Sequence, residues 1–177
     1  MTKMNIQLSQ LHINFKKEEL SPFFQVKNKY RVRFDIENIN RSNLNQIIDI
    51  LFNNTDCINV SYLFGTTFPY IIKEPSRIGK YISINNWKEQ LFEVENEYDG
   101  KDIYKIVTIK NVKKAEVINY ILYLKKALKN PYMCIYNDYH LLSNSTDVID
   151  IVSSSTDMIN NLTTRYAPIV DHFYDND

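Results

Sequence analysis

Between Tyr30 and Glu37 apolar and polar residues alternate without a break. Tyr30, Val32, Phe34 and Ile36 fall on one side; Arg31, Arg33, Asp35 and Glu37 fall on the other. A period of two predicts a strand with one face buried and one face wet. The pattern then changes. In "RSNLNQIIDILF", Leu44, Ile47, Ile48 and Leu51 recur at helical spacing, Ser42 is a candidate N-cap, and "NNTD" breaks the run. "CINVSYLFG" and "FPYIIKEP" return to strand character, bounded by Gly65, Pro69 and Pro75, and "IGKYISI" reads as a further strand.

Trp87 opens "WKEQLFEVENEYDGKD", which carries Glu89, Glu93, Glu95, Glu97, Asp99 and Asp102. Its second half reads as a solvated acidic hairpin or loop around "YDGK", followed by the strand "IYKIVTI". "KKAEVINYILYLKKALKN" is the clearest helix, with Val117, Ile118, Ile121, Leu124 and Leu128 on one face and Asn130–Pro131 as its stop. "DVIDIVS" is a strand. A closing helix begins near Ser154 or Ser155, where Ser154 and Asp157 fit a capping box, and its stripe runs through Ile159, Leu162, Tyr166, Ile169 and Phe173. Pro168 lies within that stripe and has no N–H to donate, so a kink or an early stop is expected.

Strands outnumber helices, and their order is not strict β-α-β alternation. This predicts an α+β fold: a largely antiparallel, or mixed, sheet with about three helices packed on it. The expectation is one domain over residues 1–177, with 1–27 as an N-terminal extension or helix. At 177 residues and 44% apolar composition, the chain can bury a core without staples.

Charge and motifs then narrow the chemistry. Twenty-one basic residues balance 21 acidic ones, whereas a dedicated nucleic-acid domain is usually clearly basic. Lys113, Lys114, Lys125, Lys126 and Lys129 crowd the ends of one helix, but the last three also suit the negative end of its dipole. The three glycines are too few and too scattered for a phosphate-cradling loop. His12, His140 and His172 have no His or Cys three or four residues away, so no metal site and no cofactor is expected. Cys57 and Cys134 form no spacing motif and read as two buried thiols of a reducing compartment. No apolar run suits a signal peptide or a membrane helix, so a cytoplasmic protein is expected.

"MCIYNDYHLLSN", Met133 to Asn144, sets Cys134, Asp138 and His140 close together. With a two-residue turn at Asn137–Asp138, Tyr136 faces Tyr139, Ile135 faces His140 and Cys134 faces Leu141. Cys134 and His140 then lie on opposite faces and cannot act as nucleophile and base. Asp147 and Asp150, three apart in a strand, likewise diverge and are not paired carboxylates.

"YRVRFDIEN", "NQIIDILFNNTDCINVSYLF" and "DVIDIVSSSTDMINNLTTRYAPIVDHFYD" together resemble a family of short, uncharacterised bacterial proteins. The shared order is an Arg-Phe strand, a helix ending in Leu-Phe, a strand, and later a strand with a Tyr-rich closing helix; the middle of the chain is not matched. The family's acidic turn, similar to Tyr-Asp-Asp-Arg-Gly, corresponds here to "LSNSTD", Leu142 to Asp147, without most of the charge and without the glycine. The resemblance implies an association with toxin–immunity loci. The leading expectation is therefore a non-enzymatic protein-binding module that occludes a toxin. Its contact residues would be Trp87, Glu93, Glu95, Glu97 and Asp99, an acidic patch beside the sole tryptophan. The alternatives are an enzyme of unrecognised class acting on a small molecule, and a nucleic-acid-binding protein.

Overall fold

In the computed structural model, which describes residues 5–15, 21–53, 57–67, 71–73, 76–95 and 100–174, the alternating segments pair into one antiparallel sheet. The chain runs β1 (Asn5–Leu8), β2 (Leu11–Asn14), β3 (Arg31–Asp35), α1 (Arg41–Leu51), β4 (Ile58–Thr67), β5 (Ile71–Lys73) and β6 (Trp87–Glu95). It continues through β7 (Lys101–Val112), α2 (Lys114–Ala127), β8 (Met133–Tyr136), β9 (His140–Asn144), β10 (Val148–Ser153) and α3 (Thr156–Arg165). Across the sheet the order is β3-β10-β9-β8-β4-β7-β6, with the short β5 paired to β4. Every pairing is antiparallel, and the fold is α+β.

Two layers cover the sheet. The helices pack on one face, where Phe34, Val60, Ile109 and Ile151 meet Ile47, Ile121 and Leu162. On the other face the β1–β2 hairpin lays Ile6, Leu8 and Ile13 against Leu63, Cys134 and Val152. The described part of residues 1–27 is thus a hairpin and one 3₁₀ turn, Pro22–Gln25. Each of its fully buried aliphatic side chains contributes roughly 1.5–3 kcal/mol, enough to hold four-residue strands that have no wider sheet of their own.

The helical stripes form largely as their spacing dictates. Leu44, Ile47, Ile48 and Leu51 of α1 are all buried, but the cap is Asn40, whose Oδ1 accepts from Asn43 N–H at 2.9 Å, not Ser42. In α2 the Glu116 carboxylate accepts from Lys113 N–H at 3.0 Å and closes the first turn. Leu128 leaves the stripe: it takes up a left-handed C-cap conformation (φ 48°) and is exposed. At α3, Ser155 and not Ser154 is the cap, its Oγ accepting from Met158 N–H at 3.2 Å. The helix stops at Arg165, and Pro168 sits in the 3₁₀ turn Ala167–Ile169 that follows. This is the early stop expected of it; Phe173 is left exposed outside the helix. "IGKYISI" is not a strand. It coils into a 3₁₀ turn at Ile78–Lys80, with Tyr81 and Ile82 both donating to Ile78 C=O and Ile78 and Ile82 buried.

The largest departure is in β3, whose charged face is not wet. Arg33 is only 8% exposed. It stands directly opposite Asp150 of β10, donating Nε to Oδ1 at 2.6 Å and Nη2 to Oδ2 at 2.9 Å. The Phe23 ring lies 4.2 Å and the Tyr174 ring 5.1 Å from the guanidinium carbon. Burial works against the Arg33 charge, yet the bonds and charge of Asp150 outweigh it and raise the Arg33 pKa above its ordinary value. Burial also pushes the Asp150 carboxyl up, with Arg33 opposing. A guanidinium keeps its proton in proteins, so Asp150 faces a fixed positive charge.

Removing one partner of this pair strands a buried charge. Asp150→Ala is expected to cost about 3–5 kcal/mol in urea unfolding, while the Arg33→Met/Asp150→Leu double variant recovers most of that loss. A double variant as unstable as the single one would show that packing, not charge, dominates here.

Candidate functional site

The two ends of the sheet are treated differently. At β3 the outer edge is covered: Phe34 bridges Val170, and Asp171 N–H donates to Arg33 C=O at 2.9 Å. At the other end, β6 pairs only with β7, in unbroken register from Trp87–Ile109 to Glu95–Lys101. No described strand pairs with its outer side.

The ladder fixes which backbone groups are left over. Lys110 N–H donates to Asn86 C=O at 2.8 Å. In an antiparallel pair such hydrogen-bonded positions alternate, so 88, 90 and 92 bond inward to β7 while Trp87, Glu89, Leu91 and Glu93 direct N–H and C=O outward. Side chains alternate in the same way. Phe92 turns into the hairpin layer and is buried. Trp87 and Leu91 belong to the opposite series and are 52% and 65% exposed. Ile84, just before the strand, is also exposed. Glu89, between the two apolar side chains, and Glu93, beyond Leu91, are paired across to β7: Glu89 with Lys105 at 2.7 Å, Glu93 with Lys101 at 2.9 Å. The Lys101 hydrogen bond and charge lower the Glu93 pKa. The Lys105 ammonium also lies 5.1 Å from the Phe64 ring centre, which holds that ion pair against the sheet.

Three of the five expected contact residues therefore lie on one strand. Trp87 and Glu93 share a face, six positions or about 20 Å apart. Glu95 ends β6. Glu97 and Asp99 lie outside the described residues. The sequence reading missed Leu91, although its two-residue offset from Glu89 and Glu93 places it in the same series.

Other arrangements offer less chemistry. "MCIYNDYHLLSN" is two strands and a turn, but the turn is at Asp138–Tyr139, one residue later than expected. Asn137 N–H donates to His140 C=O, and Asn137 Oδ1 accepts from the N–H groups of Tyr139 and His140 at 2.9 and 2.8 Å. Tyr136 consequently faces Leu141. Moving a two-residue turn by one position moves each partner by two, so parity survives and Cys134 and His140 remain on opposite faces. Cys134 is buried in the hairpin layer, where burial pushes its thiol well above the ordinary range. His140 Nδ1 lies 2.9 Å from Ser153 Oγ, and burial lowers its pKa.

An open groove of about 510 Å³ lies beside the covered β3 edge, lined by Asp35, Glu37, Asp147 and Asp171 among others. Two of these carboxylates serve the chain: Asp35 accepts from Glu37 N–H and Asn38 Nδ2, and Asp171 accepts from Phe173 N–H. Among the described residues no three metal-ligating side chains cluster. The lysines at the ends of α2 are partly committed as well. Lys114 pairs with Asp49 at 3.0 Å, and Lys125 donates to the carbonyls of Glu37 and Ile39. They brace α2 against α1 and the β3–α1 connection. Among the described residues no helix is long and apolar enough to cross a membrane.

Compared with protein-family models, curated proteins and solved structures, the chain matches none. The functional reading rests on the geometry.

Two outcomes follow for the Cys/His stretch. Of the two thiols expected to be buried, only Cys134 is; Cys57, just before β4, is exposed, so in the native protein a thiol reagent should label Cys57 and leave Cys134 unmodified until denaturant is added, read as one and then two adducts by mass spectrometry. The His140 effect has a defined sign. Its folded pKa lies below the ordinary 6.5, so the unfolded chain binds the proton first. The contribution is fully present above 6.5 and is lost as pH falls below it toward the folded pKa, with a slope of at most about 1.4 kcal/mol per pH unit. His140→Gln should flatten that part of the stability profile; an unchanged profile would show that His140 is not its source.

Proposed function

We propose that this chain is a non-enzymatic protein-binding module of the immunity or antitoxin kind, acting in the cytoplasm, which occludes a toxin by pairing with it along β6. One observation carries the reading. A nine-residue strand leaves its outer edge without a partner among the described residues, while Trp87 and Leu91 stand exposed on the adjoining face. An open edge recruits an extended segment by main-chain hydrogen bonds, and neighbouring side chains select it. A large aromatic beside such an edge is the usual source of binding energy. The unbridged Cys57 and Cys134 fit a reducing compartment.

The test uses the polarity of the edge. Leu91 N–H points away from β7, so Leu91→Pro removes an outward donor and leaves the β6–β7 ladder whole. Its thermal unfolding should resemble that of the wild type. Affinity capture from the source organism should recover a stoichiometric, salt-resistant partner with the wild type. Binding to that partner should weaken at least tenfold with Leu91→Pro, and by about 2 kcal/mol or more with Trp87→Ala. A partner of this kind should be toxic when expressed alone and harmless with the wild-type chain. The sole tryptophan reports directly: its emission should shift to the blue in the complex. Undiminished binding by both variants would remove β6 from the interface, and a harmless partner would remove the immunity reading.

A further inference from the structure

The β1–β2 hairpin lies on the large sheet without joining it. Among the described residues, β1 and β2 pair with each other and with no strand of that sheet. Two four-residue strands are marginal on their own in water, so the hairpin depends on what lies beneath it. Ile6, Leu8 and Ile13 share a buried cluster with Leu63, Phe92, Ile106, Cys134, Leu141 and Val152, one residue from each of six strands. Polar tethers stand at two places. Gln10, in the hairpin turn, donates Nε2 to Ser154 C=O at 2.9 Å. Asn14 exchanges two bonds with the Gln25 side chain, its N–H donating at 2.8 Å and its C=O accepting at 2.9 Å.

The face beneath the hairpin is mixed, and its polar groups satisfy one another within the sheet. Ser61 Oγ lies 2.7 Å from Thr108 Oγ1 and 3.0 Å from the Tyr136 hydroxyl, and Arg33 binds Asp150 through two bonds. None of these bonds uses a hairpin atom. The buried cluster under the helices contains no residue of β1 or β2 either, and the ladders of the large sheet run without them. Lifting the hairpin would therefore strand none of these buried polar groups and break no ladder of the large sheet. Its cost is chiefly the exposure of one apolar cluster, a fraction of what global unfolding exposes.

We propose that the β1–β2 hairpin is a releasable strap: it lifts from the sheet as one unit while the large sheet and the helix layer stay folded, and so uncovers an apolar face that spans six strands. Cys134 reports the opening from inside. It is 1% exposed, and the cluster that buries it is the one the hairpin completes. The chain has two cysteines, and Cys57 is exposed, so the second adduct of a thiol reagent reads Cys134 alone.

The test labels the intact chain with iodoacetamide across a urea series, with far-ultraviolet circular dichroism recording global unfolding. The second adduct should form in urea below the global midpoint, with a weaker urea dependence than unfolding itself, because a local opening exposes less surface. At a fixed low urea concentration Leu8→Ala should speed that adduct at least tenfold. Gln10→Ala, which cuts an exposed tether and leaves the core intact, should speed it several-fold and supplies the test if Leu8→Ala does not fold. Leu162→Ala, in the helix layer, should lower the global midpoint and leave the low-urea rate unchanged. A second adduct that forms only with the rate and urea dependence of global unfolding would overturn the proposal. So would unchanged labelling in both hairpin variants, or a low-urea rate raised as much by Leu162→Ala as by Leu8→Ala. The labelling needs no partner on β6, so the strap and the docking edge fail separately.

Discussion

The buried pair between Arg33 and Asp150 constrains the rest of the sheet. The residues are 117 positions apart and meet across neighbouring strands with their charges nearly withdrawn from water. Desolvation consumes much of what such a pair gains, so its net stabilisation is small. Its effect on register is large. If β3 slid by one residue against β10, every side chain would change face, and the guanidinium would point into the helix layer against Phe34's neighbours. Only the observed register sets cation opposite anion while Phe34 and Ile149 enter the apolar layer. The aromatic lid draws in distant parts of the chain: Phe23 and Phe24 from before β3, and Tyr174 from beyond α3, all face the guanidinium. Two segments on either side of the core thus converge on one ion pair, and the approach of the second supplies the Val170–Asp171 cover over the β3 edge.

That closure makes the opposite edge significant. A sheet must end somewhere, and proteins blunt exposed ends with short strands, bulges, prolines or covering segments. Here β3 has a covering segment. β6 is nine residues long, contains no proline, and pairs with β7 without a bulge. The bulges of this sheet fall instead between β4 and β7. The long β6–β7 arm therefore extends past the helix layer with Trp87 and Leu91 uncovered. An edge that is long, regular and flanked by apolar side chains on one face has the geometry of a docking strand.

Much of the fold was legible because the decisive signals were periodic. The α1 stripe, the central run of α2, β10 and the early stop at Pro168 all follow from spacing and from one missing N–H. The failures share a cause: each depended on a partner far away in sequence, or on a choice between adjacent residues of similar chemistry. An alternating strand with arginine on one face reads as half-exposed unless Asp150 is known to stand opposite. Asn40 and Ser42, like Ser154 and Ser155, are neighbouring candidate caps, and the direction of chain entry selects between them. The β-branched residues of "IGKYISI" suggested a strand, but Ile78 and Ile82 are four apart and are buried together by a turn. Of the candidate site, the alternation of Trp87, Glu89, Leu91 and Glu93 was readable. That their strand ends the sheet was not, because strand order leaves no local pattern.

An open edge also invites a second copy of the same chain, and the residues on β6 argue against that partner. Two antiparallel copies of β6 centred on Leu91 would set Glu89 opposite Glu93 at two positions, and like charges directly opposite across a ladder are destabilising. Centring the pair on Glu89 stacks that residue on itself. Lys105 and Lys101 neutralise these carboxylates within one sheet, but from β7, one strand behind the edge. At the edge itself the acidic side chains are what an incoming strand meets first. Charge on an edge is the common device for keeping sheets from joining indiscriminately. With Glu89 between Trp87 and Leu91 and Glu93 beyond them, it disfavours the self-paired registers centred on Leu91 and on Glu89 while Trp87 and Leu91 stay exposed. Charge on this edge thus narrows the registers in which it can pair with itself.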